Sequence, residues 1–339
     1  MLRLTGRRDW YRVWLRFTEA QFVSLMLITL QLVSPVTLHV SGDFDALRAD
    51  RNAVLIANHQ IYTDWCHLWA LAWFRGGQGG LKIMLKDSLK LVPFYGSGMH
   101  FFEFIFLKRK WAQDKSTIRA NLSQALVDAQ GGPNGDRRKL PFWLLLFPEG
   151  TVITPDTYDR TLAYSAKMGL PPQAVPSYVL LPKSTGLFAC LQSMAQEGGT
   201  EDLFDITMGY SGTTFADGCP YSQWPVDRVF FRGDGPRDVH IHIRRFPVAQ
   251  IPGIFNTWLR SVFLDKDALM TRFYATGRFV TPESEKPAPP SDGDVQPVTR
   301  ITVVPTAADV LRALVAFVTV GITVWIDWRI AASLWSMIF

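Results

Sequence analysis

Short, continuous runs of apolar residues alternate along this chain with longer segments in which apolar residues recur every three to four positions. The clearest short runs are NAVLIA at 52–57, LKIML at 81–85 and FWLLLF at 142–147. Runs of this length are typical of strands buried on both faces, and the segments 115–130 and 258–273 are typical of amphipathic helices. Such alternation predicts an α/β fold, with helices packed on a sheet. Further strands are expected at 101–108, 177–181, 205–210 and 239–244, and further helices at 64–74 and 86–91.

A histidine and an aspartate follow the first apolar run, in the segment NHQIYTD at 58–64. The predicted strand delivers Asn58 and His59 at its carboxyl end, where open α/β sheets carry their active groups. A spacing of five residues is about 140° around a helix, so His59 and Asp64 cannot share a helical face. We expect His59 in the loop and Asp64 in the first helical turn, where the helix dipole favours a carboxylate. Histidine is suited to take a proton near neutral pH, and a carboxylate can hold its ring.

Two basic residues stand at the end of the apolar segment at 101–108: Lys108 is its last residue, and Arg109 follows it. Cations in such a place can bind a phosphate through charge-assisted hydrogen bonds, and arginine offers a bidentate fork. The simpler interpretation is a solvated strand edge.

A second compact motif, Glu149-Gly150-Thr151, follows the apolar run at 142–147. The glycine allows close approach of the backbone, while the carboxylate and the hydroxyl can hold substrate hydroxyls or a phosphate-binding cation. A turn with a capping threonine is the alternative interpretation.

Composition limits the partners. The chain has 339 residues, of which 48% are hydrophobic, and Lys+Arg (35) exceed Asp+Glu (30), giving a net charge of +5. The positive charge favours anionic partners, but the basic clusters adjoin apolar sequence and show no RNA-binding, zipper or finger pattern, so nucleic acid is only a minor alternative. Three cysteines with no metal-type pairing predict free thiols in a reducing compartment.

Both ends of the chain carry long apolar segments. No charged residue occurs from 20 to 40, a stretch long enough to cross a bilayer or to lie within one leaflet. At 301–339 two apolar blocks flank Asp327 and Arg329, which predicts a membrane hairpin or one tilted helix; a buried soluble helix is the alternative. We divide the chain into a membrane-associated helix (1–40), a catalytic domain (41–280), a flexible linker (281–300) and the C-terminal membrane segment.

The order of the motifs resembles that of the glycerophospholipid acyltransferases, the family of 1-acylglycerol-3-phosphate acyltransferases and related lysophospholipid acyltransferases. The Asn-His-four residues-Asp pattern of that family matches 58–64, and its Glu-Gly-Thr pattern matches 149–151. A Phe-Ile-x-Arg block resembles 104–109, and a late apolar-Pro block resembles 179–183. The resemblance extends over about residues 53 to 279. Trp65 after the first motif, KRKW at 108–111 and the long C-terminal tail are more similar to the eukaryotic branch that includes lysophosphatidylinositol and lysocardiolipin acyltransferases.

The resemblance implies a mixed sheet flanked by helices and an acyl transfer from acyl-CoA to a lysophospholipid hydroxyl, in phospholipid synthesis or remodelling. In that reaction His59 is the general base, and the carboxylate of Asp64 holds its imidazole ring. The implied substrate-binding residues are Lys108, Arg109, Glu149, Gly150 and Thr151. Acyl-CoA is a co-substrate, no metal or other cofactor is needed, and membrane lipid is the remaining partner. The expected location is the endoplasmic reticulum membrane, with the active site toward the cytosol.

Several alternatives stay open at this stage. Cys66 and His67 offer a thiol mechanism, which we discount because nothing marks Cys66 as an activated thiolate. His59, Asp64 and His67 are all metal-ligand types, although their spacing does not suit a single helix. The chain could also be an inactive, membrane-tethered lipid-binding protein of the same fold, or a hydrolase of phospholipids or thioesters in which water replaces the acceptor.

Overall fold

The computed structural model describes most of the chain. The described residues are 8–91, 99, 101–108, 110–131, 138–197, 199–213, 219–279, 298–302, 304, 306–311, 314–315, 318, 321–322, 325 and 329. The helices are α1 (Arg8–Val33), α2 (Asp64–Phe74), α3 (Trp111–Ala129), α4 (Pro155–Lys167), α5 (Ser184–Gln196), α6 (Pro220–Gln223) and α7 (Phe255–Thr276). The strands are β1 (Thr37–Gly42), β2 (Ala53–Ala57), β3 (Leu81–Lys86), β4 (Ile105–Leu107), β5 (Trp143–Leu146), β6 (Asp202–Tyr210), β7 (Asp238–Pro247) and β8 (Thr299–Thr302).

The eight strands form one mixed sheet in the order β4-β3-β5-β2-β6-β7-β1-β8. The first five in this order run parallel to one another. Strand β7 is antiparallel to β6, β1 is parallel to β7, and β8 is antiparallel to β1. Because the carboxyl ends of parallel strands meet at one edge, the loops after β2, β4, β5 and β6 lie along the same side of the sheet.

Helices cover both faces of the sheet, and the alternation of side chains along the strands separates two hydrophobic cores. In β2, Leu55 and Ala57 face the core shared with α1 and α2, whereas Val54 and Ile56 face the core shared with α3, α5 and α7. All five residues of β2 are buried, which explains why its sequence shows no polar alternation. The predicted α/β fold with a mixed sheet flanked by helices is confirmed.

Two of the predicted strands are corrected by the structure. The segment 101–108 contributes only Ile105–Leu107 as strand. The segment 177–181 is apolar but is not a strand. Its backbone N–H groups donate hydrogen bonds to carboxylates, and not to the carbonyl groups of a neighbouring strand. Asp267 accepts from the amides of Ser177 and Tyr178 at 2.9 and 2.6 Å.

Helix α1 is long and apolar enough to cross a bilayer, and within the described part of the chain it is the only helix that is. It also packs on the domain, with 39% of its most apolar stretch buried. Arg12 forms ion pairs with Glu103 at 2.7 Å and Asp128 at 2.6 Å, and the fully buried Glu19 lies 3.3 Å from Lys82 on β3. The N-terminal segment is therefore an integral part of the fold, and it continues past the helix into β1.

The end of the chain adds an element that the sequence did not suggest. Strand β8, at the border between the predicted linker and the predicted C-terminal membrane segment, pairs with β1. Most of the predicted linker lies outside the described residues. Beyond 306, the described residues from 307 to 329 are helical, and several of their apolar side chains are more than half exposed, including Leu311, Val318 and Trp325. A membrane helix in this part of the chain stays a prediction.

Candidate active site

The end of β2 carries the predicted histidine and aspartate to the common edge of the parallel strands. His59 lies in the loop and Asp64 is the first residue of α2, as predicted from their spacing. Nδ1 of His59 lies 2.8 Å from Oδ2 of Asp64. The side chain of Asp64 is fully buried and that of His59 is 17% exposed, so the imidazole connects a buried carboxylate to the surface of the domain. With Nδ1 engaged, Nε2 is the nitrogen able to accept a proton from a substrate.

Asp64 is surrounded by hydrogen-bond donors. Besides His59, its Oδ2 accepts from the backbone amides of Gln60 at 2.7 Å and Ile61 at 3.2 Å. Its Oδ1 accepts from the hydroxyl of Tyr210, the last residue of β6. Burial, followed by the charge of Asp64, raises the pKa of Tyr210 well above its usual value, so the phenol stays protonated and donates.

Neighbouring groups fix the histidine from three sides. Its ring stacks on Phe147 with 4.3 Å between ring centroids, its amide donates to Oε1 of Glu149 at 2.9 Å, and its carbonyl accepts from Ile153 at 3.0 Å. The preceding residue, Asn58, forms two hydrogen bonds with the backbone of Met208, at 2.9 and 2.8 Å, which extend the pairing of β2 with β6. The loop of His59 is therefore rigidly held before any substrate arrives.

Glu149 links three loops at this edge. Its side chain is buried, and its second oxygen accepts from the amide of Leu180 at 3.0 Å. Burial raises the pKa of Glu149 to about 8, although the two backbone amides favour its anion. The carboxylate thus contacts protein backbone through both oxygens, and the substrate contact expected for it from the sequence stays a prediction.

The rest of this motif forms the turn after β5. Gly150 has a φ of +75°, a conformation that favours glycine, and a side chain there would place its Cβ 2.9 Å from Nζ of Lys183. The ammonium group of Lys183 therefore approaches the turn closely because residue 150 lacks a side chain. The amide of Lys183 also donates to the carbonyl of Pro148 at 2.8 Å. Thr151 follows in the same loop and is half-buried.

Of the predicted basic pair, Lys108 follows β4 at the same edge of the sheet. Lys108 is exposed, and Arg109 lies outside the described residues. Sequence reasoning missed Asp114, in the first turn of α3, whose carboxylate accepts from the amides of Lys108 and Lys110 at 2.8 and 2.9 Å. An acidic residue at a helix N-terminus was the available signal. Asp114 thereby holds the backbone of Lys108 and Lys110.

Two alternative chemistries can be compared with this geometry. Cys66 is fully buried, and burial raises the pKa of its thiol well above its usual value, so it is not an activated nucleophile. Burial lowers the pKa of the neighbouring His67 to about 4. Within the described ranges, no three histidine, cysteine or acidic side chains cluster as metal ligands do. All three cysteines are free thiols, as the sequence predicted.

Comparison with known proteins identifies related sequences over most of the chain. A model of the Acyltransferase family matches residues 39–211, and a model of the Acyltransferase C-terminus matches residues 229–298. Among similar proteins is the 2-acyl-1-lysophosphatidylinositol acyltransferase of Saccharomyces cerevisiae, which is 35% identical, with 80% of this chain and 77% of the relative covered. The probable 1-acyl-sn-glycerol-3-phosphate acyltransferase 5 of Arabidopsis thaliana is 33% identical, with 84% and 70% covered.

A third relative, lysocardiolipin acyltransferase 1 of Gallus gallus, is 27% identical, with 85% of this chain and 70% of the relative covered. The first family model includes β2, β5 and β6, the three strands whose ends carry His59, Glu149 and Tyr210. The match thus spans the whole edge of the sheet at which these side chains meet. The chain belongs to the acyltransferase family.

Proposed function

We propose that this protein transfers a fatty acyl group from acyl-CoA to the free hydroxyl of a lysophospholipid, in phospholipid synthesis or remodelling. The observation that carries the proposal is the hydrogen bond between His59 and Asp64 at the edge of the parallel sheet. It leaves one imidazole nitrogen able to accept a proton near the surface, with a buried acid behind it. The names of the similar proteins support a lysophospholipid as the acceptor.

The chemistry follows from the properties of an alcohol and a thioester. A hydroxyl of high pKa attacks a thioester slowly unless its proton leaves as the new bond forms. Nε2 of His59 accepts that proton while the acceptor oxygen bonds to the acyl carbon. The tetrahedral intermediate then expels coenzyme A as a thiolate, which takes the proton back from the imidazolium. Asp64 stabilises the imidazolium throughout, as in a catalytic triad whose serine is replaced by the substrate.

The acceptor phosphate is bound, in this proposal, by Lys108 and Arg109 at the end of β4. Gly150 and Thr151, in the turn after β5, contact the glycerol part of the substrate in this proposal. Lys183 adds a positive charge at the same turn, where its ammonium group approaches Gly150. Positive charges from two separate loops suit a reaction in which both substrates, the acyl-CoA donor and the lysophospholipid acceptor, carry phosphate groups.

Lipid substrates require access to a membrane, and we propose that the segments 1–40 and 301–339 provide it. Helix α1 has exposed apolar side chains at Trp10, Phe17 and Leu32 while its other side packs on the domain. This arrangement suits a helix that lies in one leaflet as well as one that crosses. We propose the endoplasmic reticulum membrane as the location, with the active site toward the cytosol and no cofactor besides the acyl-CoA substrate.

The test is an acceptor panel. The purified protein is incubated with several acyl-CoA donors and lysophospholipids of different headgroup, and the lipids formed are identified by mass spectrometry. We expect a diacyl product and stoichiometric release of coenzyme A. Release without a lipid product would indicate a thioester hydrolase.

A His59→Ala variant provides the matched control for this panel. We expect it to lose coenzyme A release by at least about a thousand-fold, because the proton acceptor is gone, while its association with lipid vesicles is unchanged. Equal turnover by both proteins contradicts the proposal, and absence of turnover in both favours a lipid-binding protein that retains the fold.

A further inference from the structure

Tyr210 lies at the end of β6, 146 residues after Asp64, and is fully buried against it. Its ring packs on Trp224 and His67, with centroid distances of 5.7 and 5.9 Å. Burying a phenol is costly unless its hydroxyl finds a partner. Here the hydroxyl donates to the carboxylate that holds His59, so the free energy of this buried polar group is coupled to the orientation of Asp64.

The two oxygens of Asp64 are held from different directions. The imidazole and the amides of Gln60 and Ile61 converge on Oδ2, and all three belong to the loop between β2 and α2. Tyr210 donates to Oδ1 from a different strand. A carboxylate held through one oxygen can still rotate about its side-chain bond, whereas one held through both oxygens cannot. The bond from Tyr210 therefore fixes the plane of the carboxylate and, with it, the direction of Nδ1 of His59.

The carboxylate of Asp64 has no permanent cation as a partner among the described residues. Within the part of the chain that the structure describes, no lysine or arginine forms an ion pair with Asp64, and the one partner that can carry a positive charge is His59. A neutral donor stabilises the anion without cancelling its charge. The negative charge therefore remains available to the imidazolium that forms when His59 accepts a proton.

We propose that Tyr210 is a positioning residue for acyl transfer: it fixes Asp64, and through Asp64 it holds His59 with Nε2 directed at the acceptor hydroxyl. The inference rests on the proposed function, since it assigns a role within that reaction. It adds a third side chain to the pair, from the strand next to β2 in the sheet. Tyr210 transfers no proton and contacts no substrate in this role.

The main test is a Tyr210→Phe variant, which keeps the ring contacts with Trp224 and His67 and removes the hydroxyl alone. We expect kcat to fall about ten-fold with KM for both substrates within about two-fold, the effect of losing one hydrogen bond to a charged group. We also expect the acid limb of the pH–rate profile to move to higher pH. The phenol no longer shares the negative charge of Asp64, so the protonated imidazole is favoured over a wider pH range.

A second variant changes the strength of the bond in the opposite direction. Incorporation of 3-fluorotyrosine at position 210 makes the phenol a stronger donor at almost unchanged volume, and we expect the acid limb to move to lower pH. A merely structural tyrosine would leave the limb in place in both variants. This second protein retains the hydroxyl and the ring contacts, so it tests the inference independently of the folding of Tyr210→Phe.

A double-mutant cycle with Asp64→Asn decides whether Tyr210 acts through Asp64. We expect Tyr210→Phe to have little further effect on kcat in the Asp64→Asn background, because residues that act as a unit are not additive. Equal losses in both backgrounds, or a pH profile shared with the wild type, would overturn the inference.

The activity of the wild-type protein separates this inference from the proposed function. If the wild type forms no acylated lipid from any donor and acceptor, the proposed function fails first. If it turns over and the two Tyr210 variants match it in kcat and pH profile, only the positioning role fails.

Discussion

Asp64 and Asp205 are both fully buried carboxylates next to the central strands, yet they are stabilised in opposite ways. Asp205, on β6, forms ion pairs with Lys266 of α7 at 2.8 Å and with Arg244 of β7 at 2.7 Å. Asp64 has backbone amides, a phenol and an imidazole as its donors. One region neutralises its buried charge with two cations, and the other surrounds it with neutral donors.

This difference in hydrogen-bond and ion-pair partners supports the proposal that Asp64, and not Asp205, takes part in catalysis. Burial raises the pKa of Asp205, but the charges of Lys266 and Arg244 outweigh it and hold that pKa below its usual value of 3.8. The carboxylate of Asp205 therefore stabilises the packing of α7 on the sheet through its ion pair with Lys266. At Asp64 the full negative charge remains opposite His59, where it can stabilise a proton taken from substrate. The absence of a permanent cation beside Asp64 in the described residues therefore supports the catalytic role proposed for it.

The largest effect in this comparison is expected for Asp64→Asn. We predict that kcat falls by about a thousand- to ten thousand-fold, because the amide cannot stabilise the imidazolium and favours the wrong tautomer of His59. The measurement is coenzyme A release with a saturating lysophospholipid. The melting temperature is expected to change much less than in the Asp205 variant, and a kcat within ten-fold of the wild type would remove Asp64 from the mechanism.

The matched variant, Asp205→Asn, is predicted to affect stability instead of catalysis. Removing this anion leaves the fully buried Lys266 without its ion-pair partner, which costs about 3–5 kcal/mol of unfolding free energy, whereas Arg244 keeps its ion pair with Asp265. Urea unfolding in detergent measures the loss, and kcat per folded molecule should stay within about three-fold. A stable but inactive Asp205→Asn variant contradicts this assignment.

The wild type should also lose stability as pH falls below about 3.8, since the folded pKa of Asp205 lies below the unfolded one.

The third and smallest effect concerns Glu149, a buried carboxylate held by two backbone amides. Its folded pKa of about 8 exceeds the ordinary value of 4.5, so the folded protein keeps a proton that the unfolded chain releases. The contribution of Glu149 to stability is therefore predicted to be full below pH 4.5 and to be lost, by a few kcal/mol, as pH rises toward its folded pKa of about 8. Glu149→Gln should flatten this slope in chemical unfolding at several pH values. An unchanged slope assigns the titration to another group.

Much of the local structure followed from the sequence. The runs at 52–57, 81–85 and 142–147 form strands that are buried on both faces, apart from the half-buried Met84 and Leu85. Helix α2 begins at Asp64 and ends at Phe74, as the pattern predicted. The strand predicted at 177–181 was wrong because an apolar run indicates that a segment is buried, but it does not indicate which groups accept its backbone hydrogen bonds. Two of the acceptors there are Glu149 and Asp267, which are remote in sequence.

The sequence by itself determined the fold class, the positions of most strands, and the placement of His59 in a loop with Asp64 on the following helix. These are local properties, fixed by the periodicity of apolar residues and by a five-residue spacing. Only the tertiary structure decided that Tyr210 supplies the second support of Asp64, that Glu149 holds the backbone of His59, and that Lys266 and Arg244 neutralise Asp205. These contacts join residues that are far apart in the chain, and the order of the strands together with the packing of α7 on the sheet brings them together.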